Sequence, residues 1–380
     1  MPAAPAPGPA VPRSGVGFTV LVTVLSVLGG GLMMLVIALS GAPGTLLLAA
    51  ALAAIPVGPL VGAFMWLDRY EPEPRWLLVA GLAWGGFVAT AAAILIQGVG
   101  GFVAGLDHDV MLGVVAPVTE EATKGFVLLL LLWWRRHEID GVLDGIVYAG
   151  MVGIGFAFVE NVLYLAAAYD GTDGMGPGGT EALTWTFVVR CLASPFAHPL
   201  FTSFTGIGVG IAVASRSPAV RVLAPVGGYA LAVLAHATWN ASTLYGAQGF
   251  VGVYVVVMAP VFLGLVGLAV WSRSSERRML TAALSDAAQR GLIPATDIGW
   301  VVDLTARRRA RAWARERGGA EGERAMRAYQ QAAIELGFLH HRYLRGTPPP
   351  DFAARGQHYV GRIAAARPYI SFPGQVVPTR

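Results

Sequence analysis

The feature that most constrains this chain is a series of apolar stretches, each about as long as a membrane-spanning helix. A helix needs about 20 apolar residues to cross a bilayer, and eight such stretches follow one another along the chain. They lie at 17–39, 45–66, 76–99, 111–134, 142–166, 183–214, 222–245 and 250–272. The pattern predicts an all-α, polytopic membrane bundle of about eight transmembrane helices. The sixth stretch is long, which predicts a tilt or a break around Pro195 and Pro199.

Charge divides the chain into a membrane domain and a basic extension. Only 13% of the residues are charged and 55% are hydrophobic, whereas soluble domains carry about 25% charged residues. Residues 1–272 contain nine basic and 14 acidic residues, but residues 273–380 contain 18 basic and nine acidic ones. We therefore predict a Pro/Ala-rich N-terminal segment at 1–16, a transmembrane domain at 17–272 and a basic, helical, cytoplasmic tail at 273–380.

The loops between the stretches alternate in charge. Arginines occur before the first stretch and after the second, fourth, sixth and eighth, whereas the other connecting loops contain no Lys or Arg. Because cytoplasmic loops are enriched in these residues, the alternation predicts a multi-pass cell-membrane protein with both termini in the cytoplasm. The apolar run that begins at Gly17 is longer than the roughly 7–15 residues of a secretory signal, which predicts a retained first helix.

Ionisable residues inside the stretches are the second informative feature, since each costs roughly 2.5–3.5 kcal/mol at the centre of a bilayer. They are Glu120, Glu121, Lys124, Glu160, Arg190, His198 and His236, accompanied by Asn161 and Asn240. Counted from the cytoplasmic ends at 1.5 Å per residue, four of them on four different helices reach a common depth of roughly 21–27 Å: Glu120, Glu160, His198 and His236. The coincidence predicts one polar centre inside the bundle.

Spacing within two helices agrees with such a centre. Lys124 lies four residues after Glu120 and three after Glu121, so it can neutralise a carboxylate on its own helix face. His236 and Asn240 are four residues apart and point to one face, where an imidazole and an amide can hold a metal or orient a water. A single intramembrane His or Asn is equally well explained by helix–helix hydrogen bonding. The residues alone leave open whether the centre does chemistry or carries ions.

Four motifs, in this order on consecutive stretches, resemble those of the PrsW family of intramembrane proteases. They are "EEATK" from Glu120, "FAFVEN" from Phe156, "HPLFTSFTGIGVG" from His198 and "HATWN" from His236. The resemblance covers about residues 60–272, and the family looks related to the CAAX prenyl endopeptidases. Those enzymes usually place a His where this chain has Glu160, so the resemblance favours the PrsW branch. It implies a membrane-anchored, anti-sigma-factor-like protein substrate that is cut near the outer membrane face.

The resemblance also implies roles for individual residues. Glu120 or Glu121 would be the general base on the attacking water. The rest of the catalytic set would be Glu160, His198, His236 and Asn240. A divalent metal, expected to be zinc, would be held by Glu160, His198 and His236 and would activate the water. The alternative is a glutamic mechanism, in which a glutamate accepts the proton while the histidines hold the water and the oxyanion.

The tail is predicted to form amphipathic helices over 276–346, where apolar residues recur at helical spacing. Its segment "TARRRARAWARERG" is strongly basic. Anionic lipid attracts such a segment by about 1 kcal/mol per Arg near the surface. We therefore expect the tail to dock on anionic lipid or a cytoplasmic partner rather than on nucleic acid. His340 and His341 are predicted to be surface residues.

Two other functions stay open at this point. Intramembrane Glu and His also serve as relays in proton- or ion-coupled transporters, and a polar centre can simply fix helix packing in a non-catalytic scaffold. The chain shows no internal repeat or paired broken helices of the transporter kind. Arg190 lies close to the outer boundary, and we predict a structural ion pair for it. The leading hypothesis is an intramembrane peptidase.

Overall fold

The structure, a computed structural model, describes residues 16–70, 72–172 and 177–374 of the chain. Nearly all of the predicted N-terminal segment at 1–16 and residues 173–176 of one connecting loop lie outside the described residues. The described chain forms two compact units. The larger comprises residues 16–68 and 72–270, and the smaller comprises residues 271–374 together with Arg69 and Tyr70. No strand occurs in these ranges.

Eight long helices of the described chain correspond to the eight apolar stretches. They are α1 Val16–Leu39, α2 Pro43–Leu67, α3 Arg75–Gly101, α4 Ala116–Trp134, α5 Val142–Asp170, α6 Thr180–Ala214, α7 Pro218–Thr243 and α8 Gly246–Gln289. Seven of them are long and apolar enough to cross a membrane. The exception is α4, which carries the three charged residues of the first motif. The predicted all-α, multi-pass membrane architecture is confirmed.

Local sequence explains several helix ends. At the start of α7, the Ser217 hydroxyl accepts a hydrogen bond from the Val220 N–H at 3.5 Å, and Pro218 occupies the first turn, where its missing N–H costs nothing. The end of α5 is set by Gly171, whose φ of 69° lies in the left-handed region that glycine adopts without strain.

Glycines allow α5 to approach its neighbours at backbone distance. A Cβ atom placed on Gly145 of α5 would lie 2.0 Å from the carbonyl oxygen of Gly206 on α6. One placed on Gly155 would lie 2.0 Å from the carbonyl oxygen of Leu82 on α3. Small residues serve this purpose in membrane helices, where no hydrophobic effect draws helices together. As a result α5 is buried along most of its length, with α6 close beside it.

The sixth helix is interrupted where the sequence predicted. A π-helical turn, Val188–Ala193, ends at Ser194, whose φ of −128° and ψ of 37° are not helical. The residue that precedes a proline disfavours the α conformation, and Pro195 follows directly. The α-helix resumes at Ala197. The break separates Arg190, on the first half of α6, from His198, on the second.

The smaller unit is a folded helical domain. It contains the end of α8, then α9 Ile298–Val302, α10 Leu304–Leu344 and α11 Phe352–Ala366. The long α10 bends into two arms at Gly319, whose φ is 60° and ψ −152°. Leu284, Tyr329 and Phe372 are fully buried in its hydrophobic core. The amphipathic helices predicted for the tail therefore pack against one another.

The prediction that His340 is a surface residue is wrong. Only 4% of its surface is exposed, and its Nε2 atom lies 2.6 Å from Oδ2 of Asp286 on α8. The apolar residues around it place this face of α10 against α8 and α11, and the carboxylate satisfies the buried imidazole. His341 is partly buried, and burial lowers its pKa below the ordinary value.

Candidate active site

The predicted polar centre is present in the larger unit. Six of its ionisable side chains come from four successive helices: Glu120, Glu121 and Lys124 from α4, Glu160 from α5, His198 from α6 and His236 from α7. All are buried or nearly so, and Glu121 and Lys124 are 0% exposed. Charges at such a depth are tolerated only when they are paired and hydrogen-bonded. The contacts between them show how this is achieved.

Lys124 joins the two glutamates of its own helix to α6. Its Nζ atom lies 2.8 Å from Oε1 of Glu121, 3.4 Å from Oε2 of Glu120 and 3.0 Å from Nδ1 of His198. The ammonium also sits 3.8 Å from the centre of the Phe156 ring, a favourable cation–π position. The sequence predicted one carboxylate partner for this residue, the chain's only lysine. The structure gives it two.

The contacts of His198 fix its tautomer. An ammonium group can only donate hydrogen bonds, so Nδ1 of His198 accepts from Lys124. The proton of the neutral imidazole then lies on Nε2, which donates to Oε2 of Glu160 at 2.6 Å. Glu160 is therefore the carboxylate partner of His198.

His236 is held in a similar way by a different carboxylate. Its Nδ1 atom lies 2.9 Å from Oε1 of Glu121, and Thr202 donates to the other oxygen of that carboxylate at 3.1 Å. Because the carboxylate accepts, Nδ1 carries the proton and the lone pair of Nε2 faces Oε2 of Glu120 at 3.8 Å. Each histidine thus has its own orienting carboxylate, an arrangement that commonly supports metal-binding imidazoles.

The residue types of a metal site are present, but both ring nitrogens of His198 already have partners, so a metal would replace the contact of His198 with Lys124 or with Glu160. Glu120, His198 and His236 each offer one ligand atom, and the three atoms lie within 4.8 Å of one another. Two imidazoles and a carboxylate with a further open position are typical of catalytic zinc. The sequence assigned Glu160 as the carboxylate ligand, and that assignment stays a prediction. The geometry favours Glu120 instead, because Glu160 is engaged by His198 and by Arg190.

Arg190 forms the ion pair that the sequence predicted. Its Nη2 donates to Oε2 of Glu160, and its Nε donates to Oδ1 of Asn161 at 2.8 Å. The guanidinium also lies 3.9 Å from the centre of the Tyr164 ring. Arg190 is therefore joined to the polar centre through Glu160.

Two amide side chains border the centre. Asn240, expected in the catalytic set, donates from Nδ2 to the carbonyl oxygen of Leu112 at 3.1 Å, a contact between α7 and the turn before α4. Gln97 of α3, which sequence reasoning missed, has its Nε2 atom 3.4 Å from Oε1 of Glu120. In the sequence Gln97 is visible only as an amide within an otherwise apolar stretch, and its position along the chain does not connect it with α4.

A cavity of about 310 Å³ opens onto the centre. Its lining combines Glu120, Glu160, His198 and Arg190 with apolar side chains such as Ile94 and Leu163. Asn240 and Gln97 also line it, whereas Glu121, Lys124 and His236 do not. The cavity therefore distinguishes groups that a bound molecule can reach from groups that only support them.

Residues 73–265 match the PrsW family of intramembrane metalloproteases. The chain belongs to the PrsW family. The match covers half of the chain and includes every residue of the polar centre, which confirms the resemblance carried by the four motifs. It ends before the smaller unit begins at Trp271.

Curated proteins named Protease PrsW are similar to this chain over shorter regions. That of Geobacillus kaustophilus is 30% identical over 153 residues, 40% of this chain and 60% of that protein. That of Clostridioides difficile is 32% identical over 120 residues, 30% of this chain and 49% of the relative. That of Bacillus subtilis is 34% identical over 91 residues, which are 24% of this chain and 35% of the relative. The chain thus spans roughly a third to three fifths of the length of these relatives. No solved structure matches it.

Proposed function

We propose that the protein is an intramembrane peptidase that hydrolyses a peptide bond of a membrane-anchored protein near the outer face of the cell membrane. The observation that carries the proposal is the cluster of Glu120, His198 and His236 inside an apolar helical bundle, with Glu120 and His198 lining a cavity. Membership of the PrsW family supports the same reaction class. The motif resemblance makes a single-pass, anti-sigma-factor-like protein the first substrate class to test.

Glu120 is the carboxylate that the reaction needs. Two carboxylates line the cavity, and Glu160 is already engaged by Arg190 and His198. Glu121 does not line the cavity and is bound by Lys124, Thr202 and His236. Glu120 is therefore the group placed to accept a proton from an attacking water. This assigns the general base to Glu120 rather than to Glu121, a choice that the sequence left open.

The remaining residues orient the histidine rings and stabilise the oxyanion. Glu121 and Glu160 fix the rings of His236 and His198. Asn240 donates one amide hydrogen to the carbonyl oxygen of Leu112, just before α4, and its second amide hydrogen can be donated to the oxyanion that forms when water attacks a carbonyl. Zinc or another divalent ion would be held by Glu120, His198 and His236, and when bound it would supply Lewis-acid polarisation. In the glutamic alternative Glu120 acts without it.

Purified full-length protein in detergent, incubated with a panel of single-pass membrane proteins, tests this function. We expect one or more to be cut within or next to the outer half of its span, as located by mass spectrometry of the fragments. Glu181→Gln is the matched control for Glu120→Gln, because Glu181 is exposed at the start of α6. Chelation separates the two mechanisms: loss of cleavage that zinc restores supports the metal, and full cleavage in chelator supports the glutamic mechanism. Absence of cleavage across the panel, alongside an active homologue, would contradict the proposal.

We propose that both termini are cytoplasmic, as the alternating arginines imply. In a Cys191→Ala background, a cysteine at Thr180 should react with an impermeant reagent added outside cells. A cysteine at Ser217 should react only after the membrane is opened. Both positions are exposed at the ends of helices. Labelling of both from the outside would contradict this orientation.

We propose that the smaller unit docks on anionic lipid. What supports this is its excess of arginine and the exposure of Arg308, Arg309 and Arg317 on the first arm of α10. Full-length protein in nanodiscs should resist trypsin at this arm when the lipid contains phosphatidylserine. Protection should disappear in pure phosphatidylcholine or at high salt. Equal cleavage in both lipids at low salt would favour a protein partner instead.

A further inference from the structure

Arg190 is a charged residue of the polar centre that none of the four motifs contains. Three residues of one helix hold its guanidinium: it donates to Glu160 and Asn161 and stacks on Tyr164. A planar guanidinium that is bound at its edge and covered on one face is held in a single orientation. Such fixation exceeds what charge neutralisation alone requires.

The oxygen that Arg190 binds is also the oxygen that orients His198. Oε2 of Glu160 accepts from Nη2 of Arg190 and from Nε2 of His198. On the opposite side of the imidazole, Nδ1 faces the ammonium of Lys124 at 3.0 Å. Arg190, Glu160 and His198 thus form a continuous chain that ends at a ring nitrogen inside the centre.

We propose that Arg190 is a positioning residue for His198, an inference that rests on the peptidase function proposed above. Arg190 holds the Glu160 carboxylate in the rotamer that accepts the hydrogen bond from Nε2 of His198, and this bond fixes the orientation of the ring, while Lys124 keeps the lone pair on Nδ1. Without the guanidinium, Oε2 loses one of its two donors and the carboxylate is free to rotate away from the ring. Lysine would restore the charge but not the edge-on contact with two partners, because an ammonium is a point charge.

Charge balance supports the same role. The centre contains three carboxylates, Glu120, Glu121 and Glu160, against two permanent cations, Lys124 and Arg190. Lys124 contacts both glutamates of α4, which leaves Arg190 as the cation of Glu160. The competing explanation is direct contact between Arg190 and a substrate, because Arg190 also lines the cavity.

The first test reads the hydrogen bond between Nε2 of His198 and Glu160 without any substrate. Full-length protein labelled with ¹⁵N-histidine is purified in detergent, treated with chelator and examined by NMR, and His198→Gln identifies the signal among the chain's seven histidines. We expect a single neutral form protonated on Nε2. In Arg190→Gln the signal of the Nε2–H proton should move upfield, because its hydrogen bond to Glu160 is weakened, while the signals of the histidines outside the polar centre stay in place. Arg190→Lys should fall between the two.

Arg216→Gln is the matched control, because it removes the same charge from an exposed position just beyond the other end of α6. An unchanged His198 signal in Arg190→Gln would overturn the proposal. If that variant does not fold, Arg190→Lys is read in its place, and an unchanged signal there has the same meaning. This result stands whether or not any protein in the panel is cleaved, so failure of the peptidase function and failure of the positioning role are distinguishable.

The second test separates positioning from substrate contact, using any panel protein that the wild type cleaves. Orienting groups of this kind typically contribute about 10–100-fold, so kcat of Arg190→Gln should fall by that factor with KM unchanged. Because Arg190 acts through Glu160, the double variant Arg190→Gln/Glu160→Gln should be no slower than Glu160→Gln. A rise in KM at constant kcat, or additive losses, would overturn the proposal in favour of substrate contact.

Discussion

The two units of this protein distribute charge in opposite ways. In the larger unit the charged side chains of α4 are buried, and large apolar side chains such as Leu47 and Val103 are more than 70% exposed. In the smaller unit the core is apolar, and ion pairs such as Arg290–Asp286 lie at its surface. Lipid outside the first unit and water outside the second explain the difference. It follows that substitution of the same type of residue should change the free energy of unfolding by different amounts in the two units.

The largest expected effect comes from breaking the buried ion-pair network. Lys124→Met leaves two carboxylates without their cation, and removal of one partner of a buried pair costs about 3–5 kcal/mol. Thermal unfolding of the purified protein in detergent should show the loss, unless a carboxylate takes up a proton. Arg290→Met, which breaks an exposed pair in the smaller unit, should leave the melting temperature unchanged. Equal effects of the two variants would remove the contrast between the units.

The next prediction concerns how far the stability of the smaller unit depends on its apolar core. Leu284 is fully buried there, so Leu284→Ala should cost that unit about 2–5 kcal/mol. Trypsin should then cut at arginines of α10 at lower temperature than in the wild type. Leu47→Ala in α2 removes the same atoms from an exposed position and is the control. Similar trypsin sensitivity of both variants would contradict the assignment of Leu284 to the core.

A third prediction concerns the close approach of helices around the polar centre. A Cβ atom on Gly153 of α5 would lie 2.6 Å from the Pro199 nitrogen and 2.8 Å from the His198 carbonyl carbon. Gly153→Ala should therefore push α6 away and cost about 1–3 kcal/mol, with slower cleavage because His198 moves relative to Glu160. Gly31→Ala in α1 meets no atom within 4 Å and should be silent. Full cleavage by Gly153→Ala would contradict this packing.

A fourth prediction concerns opposite pH dependences in the two units. Burial raises the pKa of Asp68, just after α2, to about 8. Its folded form holds a proton that the unfolded chain releases, so its contribution is present at low pH and is lost as pH rises toward 8. In the smaller unit the N–H of Ala306 lowers the pKa of Asp303. That contribution is lost as pH falls through the lowered pKa.

Melting temperatures measured from pH 3 to 9 test the two pH dependences expected from Asp68 and Asp303. Asp68→Asn should flatten the decline of stability between about pH 4 and pH 8, and Asp303→Asn should flatten the decline at the most acidic pH values. Identical profiles for the two variants would show that the two carboxylates do not differ in environment.

Much of the larger unit could be predicted because the membrane imposes simple rules. Helix length follows from bilayer thickness, and counting residues from the inner boundary placed Glu120, Glu160, His198 and His236 at one level. What counting could not give is which atom faces which. Which of Glu120 and Glu121 lines the cavity depends on the directions of their side chains. The contact of Gln97 with Glu120 depends on how α3 packs on α4.

The smaller unit was harder to predict for a physical reason. Its core is assembled from residues far apart in the chain, such as Leu284, Tyr329 and Phe372. A helical period shows that a face is apolar but not what covers it. The burial of His340 against Asp286, 54 residues away, therefore could not be read from the sequence.

We propose that the polar centre is catalytic and that Glu120 is its general base. The most direct measurement is the rate of cleavage of a panel substrate by Glu120→Gln, compared with Glu181→Gln and with the double variant Glu120→Gln/Glu121→Gln. A general base contributes about 10²–10⁴-fold, so Glu120→Gln should lose that factor while its melting temperature stays close to that of the wild type. Glu181→Gln should cleave normally. Full cleavage by the double variant would show that neither glutamate of α4 is the general base and would leave the centre a role in ion transport or helix packing.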